Sequence, residues 1–269
     1  MDWIVTGASR GIGRSLALAL ARKSSPRDRL FVLARDEARL RSLTLEAAAQ
    51  CAIEAMTFDL GRLSECERAA EALIAQDVRD ATLVHNAGLW PTERALVDGF
   101  EAAYAVNALG PLVLQRPLLD QRRLRRVLVV SAGLAAKGRF DLARTPTGED
   151  FSKLRTYCTT KLAGAIAQRH EATRHPAVDF AVIHPGVVRT DLGATSGVLG
   201  WLLQRVKRRW ESPEACAERL VRVLDRQRWQ PREGVAPWLF EEDEAPWPEA
   251  ANRDRDAVLA AIEAQLANR

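Results

Sequence analysis

The chain is poor in the residue patterns that build metal centres. Its four cysteines, Cys51, Cys66, Cys158 and Cys216, are scattered, and none belongs to a C-x-x-C pair. That argues against a zinc ribbon and gives no disulfide framework. The four histidines, His85, His170, His175 and His184, show no H-x-x-x-H ligand spacing, so no metal site is expected. No apolar run reaches the roughly 18–20 residues that span a bilayer, and no integral membrane segment is expected. The start has neither a charged n-region nor a long apolar h-region, so no secretory leader is expected either. A segregated basic block is also missing. The net charge is +4, but arginines alternate with acids along the chain, which is not the footprint of a nucleic-acid binder. These absences point to a soluble protein of a reducing compartment, the cytoplasm. Lysine is scarce as well, because arginine supplies most of the 39 basic residues. A lysine at a suggestive spacing therefore carries more weight here.

What the chain does have is a regular alternation of short apolar runs and longer helix-like stretches. Strands are expected at 3–7, 30–34, 53–59, 81–85, 126–132 and 178–184, with VAPWLFEEDEAPWP as a possible seventh followed by a proline-rich loop. Helices are expected at 12–23, 36–50, 64–76, 98–119, 153–174 and 254–267, and at 212–224, where a serine N-cap, an N1 proline and an acidic first turn mark the start. Strands apolar on both faces, each followed by a helix, indicate a mostly parallel, doubly wound α/β sheet of about seven strands in a single domain. No repeat, low-complexity linker or domain boundary interrupts residues 1–269.

Two stretches carry chemistry. TGASRGIG (6–13) joins the first strand to the first helix. Gly7, Gly11 and Gly13 let the backbone turn sharply and approach a diphosphate, and the helix N-terminus offers N–H groups and partial positive charge. YCTTK (157–161) places Tyr157 and Lys161 on one helix face, one turn apart. Taken alone, that pair is also what an ordinary helix with a solvated lysine looks like.

With the G-x-x-x-G-x-G turn and the downstream Y-x-x-x-K, the chain resembles the short-chain dehydrogenase/reductase family. HNAG (85–88), VNALGP (106–111) and HPGVVRTDL (184–192) follow in the family's order, and the likeness runs from residue 2 to about 240. The resemblance implies a nicotinamide dinucleotide held by Gly7, Ser9, Arg10, Gly11, Ile12 and Gly13, by Asp59 and Leu60 after the third strand, by Asn86, Ala87 and Gly88 after the fourth, and by Pro185, Gly186, Val188 and Thr190. It also implies that Tyr157 is the general acid/base, that Lys161 lowers the phenol's pKa and binds the ribose, and that Asn107 holds a water in the proton relay. YCTTKLAG, the C-terminal stretches and the long gap between Ser131 and Tyr157 are similar to the retinol-dehydrogenase-like branch, whose substrates are bulky apolar alcohols and carbonyls.

Arg35 stands just past the second strand, where an acid would select NADH, and with Arg10 it could clasp a 2′-phosphate. The implied cofactor is therefore NADPH/NADP+. The competing readings are a surface Arg35 paired with Asp36 or Glu37, and an Asp36 that binds the ribose of NADH. The family's substrate-binding serine is displaced here. Ungapped alignment puts Ala132 in its slot and Ser131 one residue earlier, on the opposite face unless the strand bulges. Ser131 serves in one reading; in the other the site has one donor fewer, or Thr156 stands in.

Residues 190–210 fall where the family has a substrate lid. They also read as ordinary packing or as a basic interfacial helix, and residues 241–269 form a C-terminal extension. The segment 134–152 is expected to flank the active-site mouth, and the helices 98–119 and 153–174 are the implied faces of a homodimer or homotetramer. The expected function is NADPH-dependent interconversion of a small-molecule carbonyl and alcohol. The alternative is an NADPH-binding, weakly active interaction module that lacks the usual serine.

Overall fold

A computed structural model describes residues 1–47, 49–189 and 210–267. Its centre is an eight-stranded sheet whose seven parallel members lie in the order β3 (Ala52–Thr57), β2 (Arg29–Ala34), β1 (Asp2–Thr6), β4 (Ala81–His85), β7 (Leu124–Val130), β8 (Asp179–His184) and β9 (Trp238–Phe240). β10 (Asp243–Ala245) adds an antiparallel edge. Successive strand residues feed opposite cores. Ile4, Phe31 and Leu33 pack on one face, and Trp3, Val5, Leu30 and Val32 on the other. This is why the strands read as continuous apolar runs rather than as an alternation. The helices α1 (Gly11–Lys23) and α6 (Pro213–Leu224) pack on the second face, α3 (Leu63–Ala75), α4 (Gly110–Asp120) and α5 (Lys153–Arg174) on the first. α2 (Glu37–Glu46) lies between β2 and β3 in the chain. Strand order reverses between β1 and β4, and in such sheets that point opens a ligand crevice beyond the strands' carboxyl ends.

The sequence and the structure differ in two places. The stretch 98–119 is not one helix. Asp98 and Gly99, both with positive φ, turn a hairpin of β5 (Leu96–Val97) and β6 (Phe100–Glu101). An Asp-Gly pair favours that turn. The helix then starts at Ala102 and passes through a π-turn, Ala105–Leu109, before α4. The sheet has eight strands rather than about seven, because Glu241 at φ +58° folds β10 back on β9. The lid expected at 190–210 lies outside the described residues apart from Trp210.

The C-terminal segment belongs to the same domain. After α7 (Glu249–Arg253), α8 (Arg255–Ala267) packs on α5. Gln265 accepts a hydrogen bond from the Tyr104 hydroxyl at 2.9 Å. Arg116 of α4 bridges Glu171 on α5 at 2.9 Å and Glu263 on α8 at 2.7 Å. Part of the helical face implied as a dimer surface is therefore covered from within the chain.

Candidate active site

The glycine turn sits at the crevice. Gly7 has φ +68°, and a β-carbon there would lie 2.8 Å from the Ala87 Cα. Only glycine lets the ends of β1 and β4 approach this closely. Asn86 fastens the junction, its Nδ2 donating to the carbonyls of Thr6 (3.1 Å) and Gly7 (3.3 Å). The Thr6 hydroxyl accepts from the backbone N–H groups of Asn86 and Ala87, both at 3.2 Å. Arg10 is the N-cap of α1 but makes no side-chain cap bond, and no acid lies in the first turn. The leading N–H groups of Gly11, Ile12 and Gly13 thus remain suited to an anion. Ser9 is half-buried and Arg10 is exposed at the same mouth.

Arg35 is exposed beyond β2 and pairs loosely with Asp59 at 3.8 Å, not with Asp36 or Glu37. Asp36 is engaged elsewhere: it caps α2 by accepting from the Arg39 N–H at 3.0 Å and pairs with the Arg39 guanidinium at 3.1 Å. The acid that would favour NADH is thereby held on its own helix. Leu60 is buried in the sheet–helix core, so of that pair only Asp59 is partly open to the crevice. At the end of β8, Arg219 donates to the Pro185 carbonyl and grips Glu211. Gly186 lies against Arg219 and Glu241. Val188 is buried and bridges to Glu211. Thr190 is outside the described residues.

Tyr157 and Lys161 lie in α5, both more than nine-tenths buried. Gly88 meets this pair: a β-carbon on it would lie 2.8 Å from Lys161 Nζ and 3.4 Å from Asn107 Oδ1. The Asn107 side chain clamps Leu89, accepting from its N–H and donating to its carbonyl, both at 2.9 Å. It also donates to the Thr160 hydroxyl at 3.0 Å. The π-turn thus aims Asn107 at the loop after β4.

Burial acts on the acidity of both groups. Lys161 Nζ donates to the Val130 carbonyl at 3.0 Å, and burial alone pulls its pKa down to about 8. Burial also pushes the Tyr157 pKa above the usual phenol value. Withdrawing the phenolate from water is the largest cause of that rise.

The bulge that would swing Ser131 into the serine slot is absent. β7 keeps its register with β8, and the Ser131 N–H continues the ladder to the Ile183 carbonyl at 2.8 Å. Its buried hydroxyl has no hydrogen-bond partner and lines a small pocket with Lys161, Asn107 and His85. Ala132, in extended backbone, caps a short 3-10 turn, Gly133–Lys137. The Thr156 hydroxyl accepts from the Ser152 N–H at 3.0 Å at the start of α5.

Two residues near the site were not singled out from sequence. The Trp90 indole stacks on the Tyr157 ring, with centroids 4.2 Å apart and planes 28° apart. A tryptophan directly after H-N-A-G-L and before a proline was the available signal. His85 stands in the first position of that motif and bonds Gln115 at 2.9 Å, which in turn bonds Gln168 at 3.0 Å. Burial pulls His85 down to about 4, so it is neutral at pH 7. The segment 134–152 contacts the loop that follows Trp90: Arg94 donates to the Thr147 carbonyl, and Glu101 N–H to that of Pro146.

Residues 3–197 match the family model described as short chain dehydrogenase. DnrU of Streptomyces sp. (strain C5), provisionally named a daunorubicin C-13 ketoreductase, is 33% identical over 194 residues, which cover 71% of this chain and 67% of the relative. Retinol dehydrogenase 13 of Homo sapiens is 31% identical over 242 residues, covering 80% and 69%. The fold is shared with the alcohol dehydrogenase of Thermococcus sibiricus solved with 5-hydroxy-NADP, at TM-score 0.67 and 23% identity, covering 91% of this chain and 99% of that one. With its crevice, glycine turn and buried Tyr157–Lys161 pair, the chain belongs to the short-chain dehydrogenase family, in the retinol-dehydrogenase-like branch.

Proposed function

We propose that this chain is an NADPH-dependent reductase of apolar carbonyl compounds that uses Tyr157 as its proton donor. One observation carries the reading. The loop after β4 joins the two halves of the chemistry, since Ala87 abuts Gly7 of the dinucleotide turn and Gly88 abuts Lys161 and Asn107. When bound, the nicotinamide supplies the hydride. Gly7, Ser9 and the α1 N–H groups would hold the diphosphate, Asp59 and Asn86–Gly88 the adenosine side, and Pro185, Gly186, Val188 and Thr190 the nicotinamide side. Tyr157, kept protonated by burial, gives its proton to the substrate oxygen, and the Lys161 ammonium steadies the phenolate left behind. Asn107 fixes the loop against which both groups are set.

Arg35 and Arg10 would clasp the 2′-phosphate while Asp36 stays on its helix. Arg35→Asp is expected to lower kcat/KM for NADPH by about 10- to 100-fold, the scale of a lost charge-assisted contact. Steady-state rates with NADPH and NADH check this, and an unmoved ratio between them rules out the role of Arg35.

A pH dependence follows from Lys161. Its folded pKa of about 8 lies below the ordinary 10.5, so the ammonium is lost as pH rises through about 8. Carbonyl reduction is therefore expected to fall above that pH in a kcat/KM profile. A flat profile up to pH 10 would exclude a role for the lysine charge.

The internal position of the Ser131 hydroxyl favours a second reading: the same site binds NADPH, with slow turnover as its natural state, and the chain works as a redox-responsive module. NADPH binding with no reduction across a broad carbonyl panel would select it.

A further inference from the structure

We infer that Trp90 is a wall of the substrate pocket and that it selects flat, π-conjugated carbonyl compounds over saturated ones of the same size. The inference deepens the proposed reductase reading and rests on it. The phenol hydroxyl lies in the plane of its ring, so a carbonyl that accepts its proton has to approach the ring edge. One face of that ring is already taken by the indole, at 4.2 Å between centroids. The indole is larger than the phenol and only part-buried, whereas Tyr157 is 5% exposed. A carbonyl docked at the hydroxyl is thus brought beside the part-buried indole.

That surface is held in place. The residue before it, Leu89, is clamped through both its backbone groups by Asn107. The residue after it, Pro91, is buried and biases Trp90 towards extended backbone. Downstream, Arg94 and Glu101 tie the same loop to 146–147. A fixed aromatic plate loses little entropy on binding and rewards a partner that can stack on it. The polar side of the site is thin as well, with Ala132 in the slot the family likeness gives to serine and the Ser131 hydroxyl buried without a partner. Discrimination then falls to shape and stacking rather than to hydrogen bonds.

The test compares acetophenone with cyclohexyl methyl ketone, which share a carbon skeleton and differ in flatness and π-electrons. Wild type, Trp90→Phe and Trp90→Leu are assayed with NADPH. The leucine variant is expected to lose about three- to tenfold in the aryl-to-alkyl ratio of kcat/KM, the size of a lost aromatic stack. The loss should appear mainly in KM, because the stack is present before and during the reaction. The phenylalanine variant should keep most of the preference. An aryl-to-alkyl ratio within twofold of wild type in the leucine variant overturns the inference and leaves the reductase reading standing, as does a phenylalanine variant that falls as far as leucine. Reduction of neither ketone by wild type removes both together.

Discussion

Tyr157→Phe is expected to lower carbonyl reduction by about 10²–10⁴-fold, the usual contribution of a positioned acid–base group, while NADPH affinity stays within about threefold. The substitution removes one oxygen and leaves the ring that packs under Trp90, so neither the stack nor α5 loses its support. The dinucleotide turn is built from β1, α1 and the loop after β4, which do not depend on the phenol oxygen. Stopped-flow or steady-state NADPH oxidation, alongside NADPH titration by fluorescence, separates the two quantities. Turnover within tenfold of wild type would remove Tyr157 from the chemistry. A parallel collapse of NADPH affinity would mean that its contribution is to the cofactor cradle instead.

Ala132→Ser is expected to raise the rate by tenfold or more. Extended backbone at 132 sends its side chain to the side opposite Ser131, so a hydroxyl there would add a donor in the slot that the family likeness gives to serine. In a well-studied hydrolase, losing one such donor cost about 10²–10³ in rate, which bounds the gain from restoring one. The backbone at 132 is extended and opens a 3-10 turn, a position that serine favours as an N-cap, so folding should not suffer. Measured kcat with a readily reduced ketone decides the matter. No gain in this variant, with a large loss in Ser131→Ala, would show that the internal hydroxyl already does the work.

The sheet was legible because β1, β2, β4 and β8 are buried on both faces, which leaves runs such as LFVLA without polar interruption. The glycine turn and the Tyr157–Lys161 pair were legible because close backbone approach and one-turn spacing tie residue type to position. The hairpin at 96–101 was missed because an Asp-Gly turn lies between segments that also read as helical. The burial of Tyr157 was not legible for a different reason. Spacing puts a cation near a phenol, but it does not say how much water the fold removes, nor that Val130 claims the ammonium. The stack with Trp90 joins residues 67 positions apart by number, and no local pattern announces such a meeting.

The hydrogen bond from the Tyr104 hydroxyl to Gln265 has a reach beyond the surface it helps to cover. Tyr104 ends the helical turn that leads directly into the π-turn holding Asn107. The last winding of α8 is thereby strung to the residue that sets the loop beneath Lys161. A ligand that pries that helix loose would pull on the turn that holds Asn107 without touching it.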